Sequence, residues 1–172
     1  MHRFYVPPSW LESERIALIG PLARQLSRVL RMSHGDHIIL FDDSGWAYEV
    51  ELDAVAPDRA MAHLITKSQP QTEPRIQLSL YQALITERKF DWVLQKGTEL
   101  GVSTFIPIVT QRCTPTKPDQ ISEKRAARWR RIVTEAAEQS GRVHLPKVLL
   151  PMSLRETCVP APAGTASLIA HP

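Results

Sequence analysis

Cysteine is nearly absent from this sequence. The two residues present, Cys113 and Cys158, form no Cys-x-x-Cys pair and no Cys/His cluster at zinc-ligand spacing. That excludes a disulfide framework and a structural zinc site and leaves two reduced thiols. Glycine is scarce too, and none of the seven builds a phosphate-binding loop, so the common nucleotide fingerprints are excluded. No apolar run approaches the ~20 residues needed to cross a bilayer. The opening MHRFYVPPSW has neither an apolar core region nor a small-residue cleavage site, so nothing marks the chain for export. A soluble, cytoplasmic protein without membrane or metal partners is expected. His34 and His37 form a His-x-x-His around a Gly-Asp turn without other ligands, which reads as solvated turn histidines. Neither sign of charge dominates: 21 Lys and Arg against 18 Asp and Glu give only +3, weak evidence for a polyanionic partner.

What is present is a globular composition, 43% hydrophobic and 23% charged, in a chain long enough to bury a core. Charge is unevenly spread. Between Ser122 and Lys147 stand seven basic residues, Lys124, Arg125, Arg128, Arg130, Arg131, Arg142 and Lys147, against three acidic ones. That segment is locally cationic.

The polar stretch 67–75, with two prolines and no apolar periodicity, reads as a linker, giving units of 1–70 and 74–172. Before it lie strand-like runs at 3–6, 16–19, 37–41, 46–55 and 60–66, with Asp42-Asp43-Ser44-Gly45 as a tight turn. The pattern suggests a small β-barrel. One helix interrupts it, with Leu22, Leu26, Val29 and Leu30 on one face and His34-Gly35 as its end. After the linker the grammar becomes βαβα: a strand over 76–84, a helix over 87–100 buried through Phe90, Val93, Leu94 and Leu100, a strand over 104–109, and a long helix over 119–140. Trp129, Ile132, Val133, Ala136 and Ala137 form the buried stripe of that second helix. Gly101 and Gly141 sit where left-handed helix caps are wanted. A further strand over 167–170 closes the pattern. The fold class is therefore α+β, a β-rich unit followed by a partial α/β unit.

Three clusters carry candidate chemistry. Val29-Leu30-Arg31 with Gly35-Asp36 is either a cap and turn or, through Arg28, Arg31 and the N-terminal Arg3, a phosphate contact. In Gln95-Lys96-Gly97-Thr98-Glu99-Leu100-Gly101-Val102, Lys96 suits a helix C-terminus, but Glu99 opposes the same dipole and needs a partner such as Arg112. In Glu135-Ala136-Ala137-Glu138-Gln139-Ser140-Gly141-Arg142, Glu135 and Gln139 share a helix face. Arg142 offers a planar fork suited to a phosphate or base edge. A solvated helix end is the alternative.

Taken in order, with Arg3-Phe4, Pro107, Arg112 and Pro146, these clusters resemble the RsmE family of 16S ribosomal RNA (uracil-N3) methyltransferases over the whole chain. Gln25 departs from the family, which often has histidine there. The resemblance implies a PUA-like RNA-binding β-barrel at 1–70 and the N-terminal part of a SPOUT-type domain, knotted in the full-length family, at 74–172. It further implies homodimerisation, a 16S rRNA or small-subunit partner, and S-adenosyl-L-methionine as methyl donor. The family's Gly-Pro-Glu-Gly-Gly loop and its later Leu-Gly…Arg…Glu-Thr segment do not occur here, so the knot and the donor site are expected to be missing and the chain alone inactive. Carried over residue by residue, Arg112, Glu135, Gln139 and Arg142 are the catalytic candidates, and Arg3, Arg28, Arg31, Lys96 and Arg142 the RNA-binding ones. Cys113 is not expected to act as a nucleophile, because alkylation at N3 needs no carbon-centred adduct. A stand-alone RNA-binding module is the alternative reading.

Overall fold

The computed structural model describes residues 1–113, 118–158 and 163–170. Its first layer is a five-stranded sheet of β1 (His2–Tyr5), β2 (Arg15–Ile19), β3 (His37–Phe41), β4 (Ala47–Val55) and β5 (Arg59–Ser68), in the order β1-β3-β4-β5-β2. The alternation read from sequence is real: Ile38, Leu40, Val50, Leu52, Ala60, Ala62, Ile16 and Leu18 all point to one face, and Leu26 closes the core they form. Closure into a barrel is not observed. β1 and β2 are opposite edges with no ladder between them among the described residues, so the sheet is a half-barrel. Register shifts in the β4–β5 pair, between Glu49 and Val50 and between Leu52 and Ala54, supply the bends expected of bulged strands.

The interrupting helix is shorter than its apolar stripe suggests. A turn, α1 (Pro21–Arg24), passes into a π-helical turn Gln25–Val29 and ends at Leu30, with Arg31 in the left-handed region at φ 52°. Widening to i→i+5 bonding rotates Val29 out of the stripe, and it is 72% exposed.

The second layer is an all-parallel sheet: β7 (Val102–Val109) at its centre, β6 (Leu78–Ala83) on one side, and β8 (Lys147–Val148) and β9 (Met152–Ser153) in succession on the other. The crossover helices α2 (Glu87–Glu99) and α3 (Glu123–Ser140) pack on each other, and Phe90 meets Trp129 at a ring separation of 4.9 Å. Phe90, Leu94, Phe105, Trp129 and Val133 form a second core, separate from the first. α3 starts at Glu123, where Ser122 caps it by accepting from Arg125 N–H; the preceding Pro118–Gln120 is a separate 3-10 turn.

Two further expectations are corrected. Leu100 is 80% exposed, because it follows the last helical residue and Gly101, at φ 93°, turns the chain away. Residues 167–170 form no strand, with Leu168 and Ile169 almost fully exposed; β8 and β9 already occupy that side of β7, so the segment has no ladder to join there. His171-Pro172, where that strand was expected to end, lies outside the described residues.

Candidate functional site

In open parallel sheets ligands bind beyond the carboxyl ends of the strands, where loops diverge and backbone polar groups are unpaired. Here that edge is a cleft of about 1100 Å³ lined by Val109, Thr110, Gln111, Arg112, Ser153, Leu154, Arg155 and Cys158. The adjacent short helix α4 (Leu154–Thr157) is held by a capping box. Ser153 Oγ accepts from Glu156 N–H, and the Glu156 carboxylate accepts from Ser153 N–H at 2.6 Å. Hydrogen bonding of the Glu156 carboxylate by the Ser153 side chain, first, and by the Ser153 N–H holds that carboxyl below the usual range. The box engages the acidic residue and leaves Arg155 outward. Arg112 and Arg155 are both exposed, and neither has a carboxylate within 4.0 Å among the described residues. The cleft therefore presents two uncompensated guanidiniums, suited to an anion. Cys113 beside it is buried and donates its thiol proton to Leu84 O at 3.0 Å, which gives it a structural role.

At the opposite, amino edge of β7 the third sequence cluster has a different environment from the one expected. Arg142 is 5% exposed, and its guanidinium is almost fully engaged. Nε and Nη2 donate to the Glu73 carboxylate at 3.1 and 2.8 Å, and Nη1 donates to the carbonyls of Val102 and Thr98 at 2.7 and 3.3 Å. Glu73 also accepts from the backbone N–H groups of Val143 and His144. Burial works to raise the Glu73 carboxyl, but the Arg142 hydrogen bonds and charge, with the two backbone donors, outweigh it and hold it below the ordinary range.

The same segment fastens the first sheet. Leu145 N–H donates to the Asp43 carboxylate at 2.7 Å, Tyr5 N–H to Glu138 at 3.0 Å, and Arg3 Nη2 to Arg142 O at 3.3 Å. Residues 138–145 are thus a polar hub between the two layers, and the linker that holds Glu73 is pinned to it. Partial burial lowers the Arg3 guanidinium below its ordinary value and, against the Tyr5 bond, raises Glu138 above its own, a rise to which Glu135 adds.

The remaining candidates disperse. β7 spans seven residue steps, roughly 23 Å at about 3.3 Å per residue, with Arg142 held at its amino end and Arg112 in the loop beyond its carboxyl end. Glu135 is exposed and paired with Arg131, and Gln139 is exposed on the same helix end. Lys96 is the partner of Glu99 at 2.7 Å, so the compensation expected of Arg112 comes from one helical turn away. Arg28 and Arg31 are exposed on the first layer, well placed for solvent-side contact. His37 belongs to β3 instead of a turn, between the Glu49 and Glu51 carboxylates of β4 at 3.0 and 3.5 Å. Sequence reasoning missed Arg155, Glu73 and Asp43. Asp43 had a signal in its Asp-Asp-Ser-Gly turn; Glu73, one carboxylate in a polar linker, had none.

A parallel sheet with a cationic cleft at its carboxyl edge, pinned by a polar hub to a curled β layer, defines a mixed α/β protein. The chain belongs to the RNA methyltransferase domain family, whose model matches residues 72–172. It is 33% identical over 138 residues to ribosomal RNA small subunit methyltransferase E of Bacillus subtilis (strain 168), covering 80% of this chain and 54% of that protein. To the enzyme of the same name from Synechocystis it is 34% identical over 152 residues, 88% of this chain and 48% of that protein. The chain thus spans about half the length of these relatives. Among solved structures, it is similar to a ribosomal RNA small subunit methyltransferase E from Neisseria gonorrhoeae bound to S-adenosyl methionine, with a TM-score of 0.83 and 33% identity. That match covers 95% of this chain and 66% of the other.

Proposed function

We propose that the whole protein methylates N3 of a uridine in 16S ribosomal RNA in the cytoplasm, with S-adenosylmethionine as donor. In this reading residues 1–70 are a PUA-like RNA-binding unit, 74–172 part of a SPOUT-type domain that is knotted and homodimeric when complete, and this chain supplies RNA binding and part of the substrate site. The observation that carries the reading is the carboxyl-edge cleft with Arg112 and Arg155. N3–H of uracil is a weak acid, and methylation requires its proton to leave; a guanidinium beside the ring favours the resulting anion, or grips the neighbouring phosphate and holds the base in place. Because N3 is engaged in pairing within a duplex, the target uridine is expected to be unpaired or flipped. Arg142 drops out of the reacting group and becomes the residue that orients the RNA-facing layer. Arg28 and Arg31 remain RNA contacts, while Arg3, Lys96, Glu135 and Gln139 act at the hub and helix ends.

The cleft does not fit the donor itself. S-adenosylmethionine brings an electrophilic methyl on a sulfonium beside an ammonium; guanidiniums suit only its carboxylate, and the residues lining the cleft supply no negative charge for the two cationic groups. The same misfit favours, as a second reading, a stand-alone RNA-binding module.

Anisotropy titration with a 16S rRNA fragment at several salt concentrations tests the RNA reading, since each neutralised phosphate contributes roughly 0.7–0.9 to the log–log slope. Arg112→Ala is expected to weaken binding and to lower that slope by about one contact with Tm unchanged. A flat salt dependence for the unmodified chain would sink both readings.

A further inference from the structure

The solvent face of α2 carries a second feature that the cleft does not explain. At 100° per residue, Phe90, Leu94 and Gly97 face the core, while Arg88, Trp92, Gln95, Lys96 and Glu99 cluster on the far side with Lys89 at its margin. Trp92 is 61% exposed, whereas Trp129 is buried and Trp10 and Trp46 are partly buried. The acidic residues of the helix are engaged elsewhere. Glu87 and Asp91 turn toward α3 and pair with Arg125 and Arg128, and Glu99 pairs with Lys96. Arg88 and Lys89 are exposed and have no carboxylate within 4.0 Å among the described residues. An indole is thus displayed among cations, the one large apolar side chain that α2 itself places on that face.

We infer that this face is a stacking platform for single-stranded RNA, with one base laid on the Trp92 indole and the flanking phosphates held by Arg88 and Lys89. The inference rests on the RNA reading above and adds a contact outside the cleft. The chemistry favours a nucleic acid over a second copy of this chain. A two-fold pairing of the face would set Arg88 and Lys89 against themselves, a repulsion with no free carboxylate on the face to relieve it. A polyanion has the complementary charge, and every base offers a π face to an indole. Stacking of this kind tolerates any sequence, so the platform would position a flanking strand, not select the target uridine.

The test is titration of the chain with a short single-stranded oligouridylate, read by anisotropy and by tryptophan fluorescence, with self-association followed by sedimentation. Trp92→Ala is expected to lose about tenfold in affinity, Trp92→Phe to keep most of it, and Tm to stay unchanged in both because the side chain is exposed. Arg88→Gln with Lys89→Gln should lower the salt slope by roughly 1.4. If the unmodified chain binds the oligonucleotide and Trp92→Ala binds as tightly, this inference alone falls. If the unmodified chain binds no RNA of any kind, the RNA reading falls with it. Unchanged RNA affinity with lost self-association in Trp92→Ala would assign the face to a second copy and overturn the proposal.

Discussion

At the scale of single residues, the pair that decides most is Glu73 with Arg142. A guanidinium this buried would carry a large desolvation cost if left alone, and one carboxylate from the linker, itself hydrogen-bonded to two backbone amides, compensates it. Glu73→Gln removes the charge and leaves Arg142 buried without a counter-ion. The expected loss is about 2–3 kcal/mol, below the ~3–5 kcal/mol of a fully buried pair because the carboxylate is partly solvated. Chemical denaturation at neutral pH measures it. The pH dependence has a definite sign: Glu73 titrates lower in the folded chain than in the unfolded one. Its contribution is therefore full above the ordinary glutamate value of about 4.3 and is lost as pH falls through the depressed folded value. The stability of the unmodified chain should fall more steeply on acidification than that of Glu73→Gln. Glu138 is raised, so its contribution runs the other way, present below the ordinary value and lost as pH rises through the folded one.

At the scale of elements, α2 shows how one helix presents three different sides, two packed and one exposed. Its core face meets β7 so closely at Gly97 that an added Cβ would lie 2.7 Å from Cε1 of Phe105. Gly97→Ala is expected to cost about 1–3 kcal/mol despite the better helix propensity of alanine, read as a lowered Tm. A neutral or raised Tm would show that the Phe105 ring gives way freely. The lateral side of the helix pairs with α3, and its outer side carries Trp92. The periodicity of Phe90 and Leu94 made the first side legible in sequence. It could not distinguish Leu100, whose spacing fits the stripe but which lies past the last helical turn. Val29 failed for the same kind of reason, since its stripe assumes 3.6 residues per turn and the chain there is wound as a π-helix. Gly97 gave no signal, because its need for a missing Cβ comes from Phe105 on the following strand.

At the scale of the whole molecule, two separate apolar cores are fastened to each other by the hydrogen bonds of the 138–145 hub. The hub at 138–145 and the cleft at Arg112 and Arg155 lie at opposite edges of the parallel sheet, one fixing geometry and the other open to a ligand. Calorimetric titration of S-adenosylmethionine into these 172 residues is expected to show no saturable heat, because the described cleft offers cations where a sulfonium needs acceptors. Micromolar binding would show that the donor is accepted here and would overturn the misfit.

Sequence alone determined the local matters: the strand alternation of the first layer, the βαβα order, the left-handed caps at Gly101 and Gly141, and the ordered motifs that pointed to the family. Each depends on neighbours a few residues away, where periodicity and backbone preference act. Tertiary structure alone decided which of the arginines is buried and which is open. Arg142, 30 positions from Arg112 in a similar-looking polar motif, is buried because Glu73 and the carbonyls of Thr98 and Val102 converge on it, whereas Arg112 stays open at the far end of β7. A charge is buried or exposed according to what the fold brings within about 3 Å of it, and those partners here lie 40 to 69 positions away along the chain.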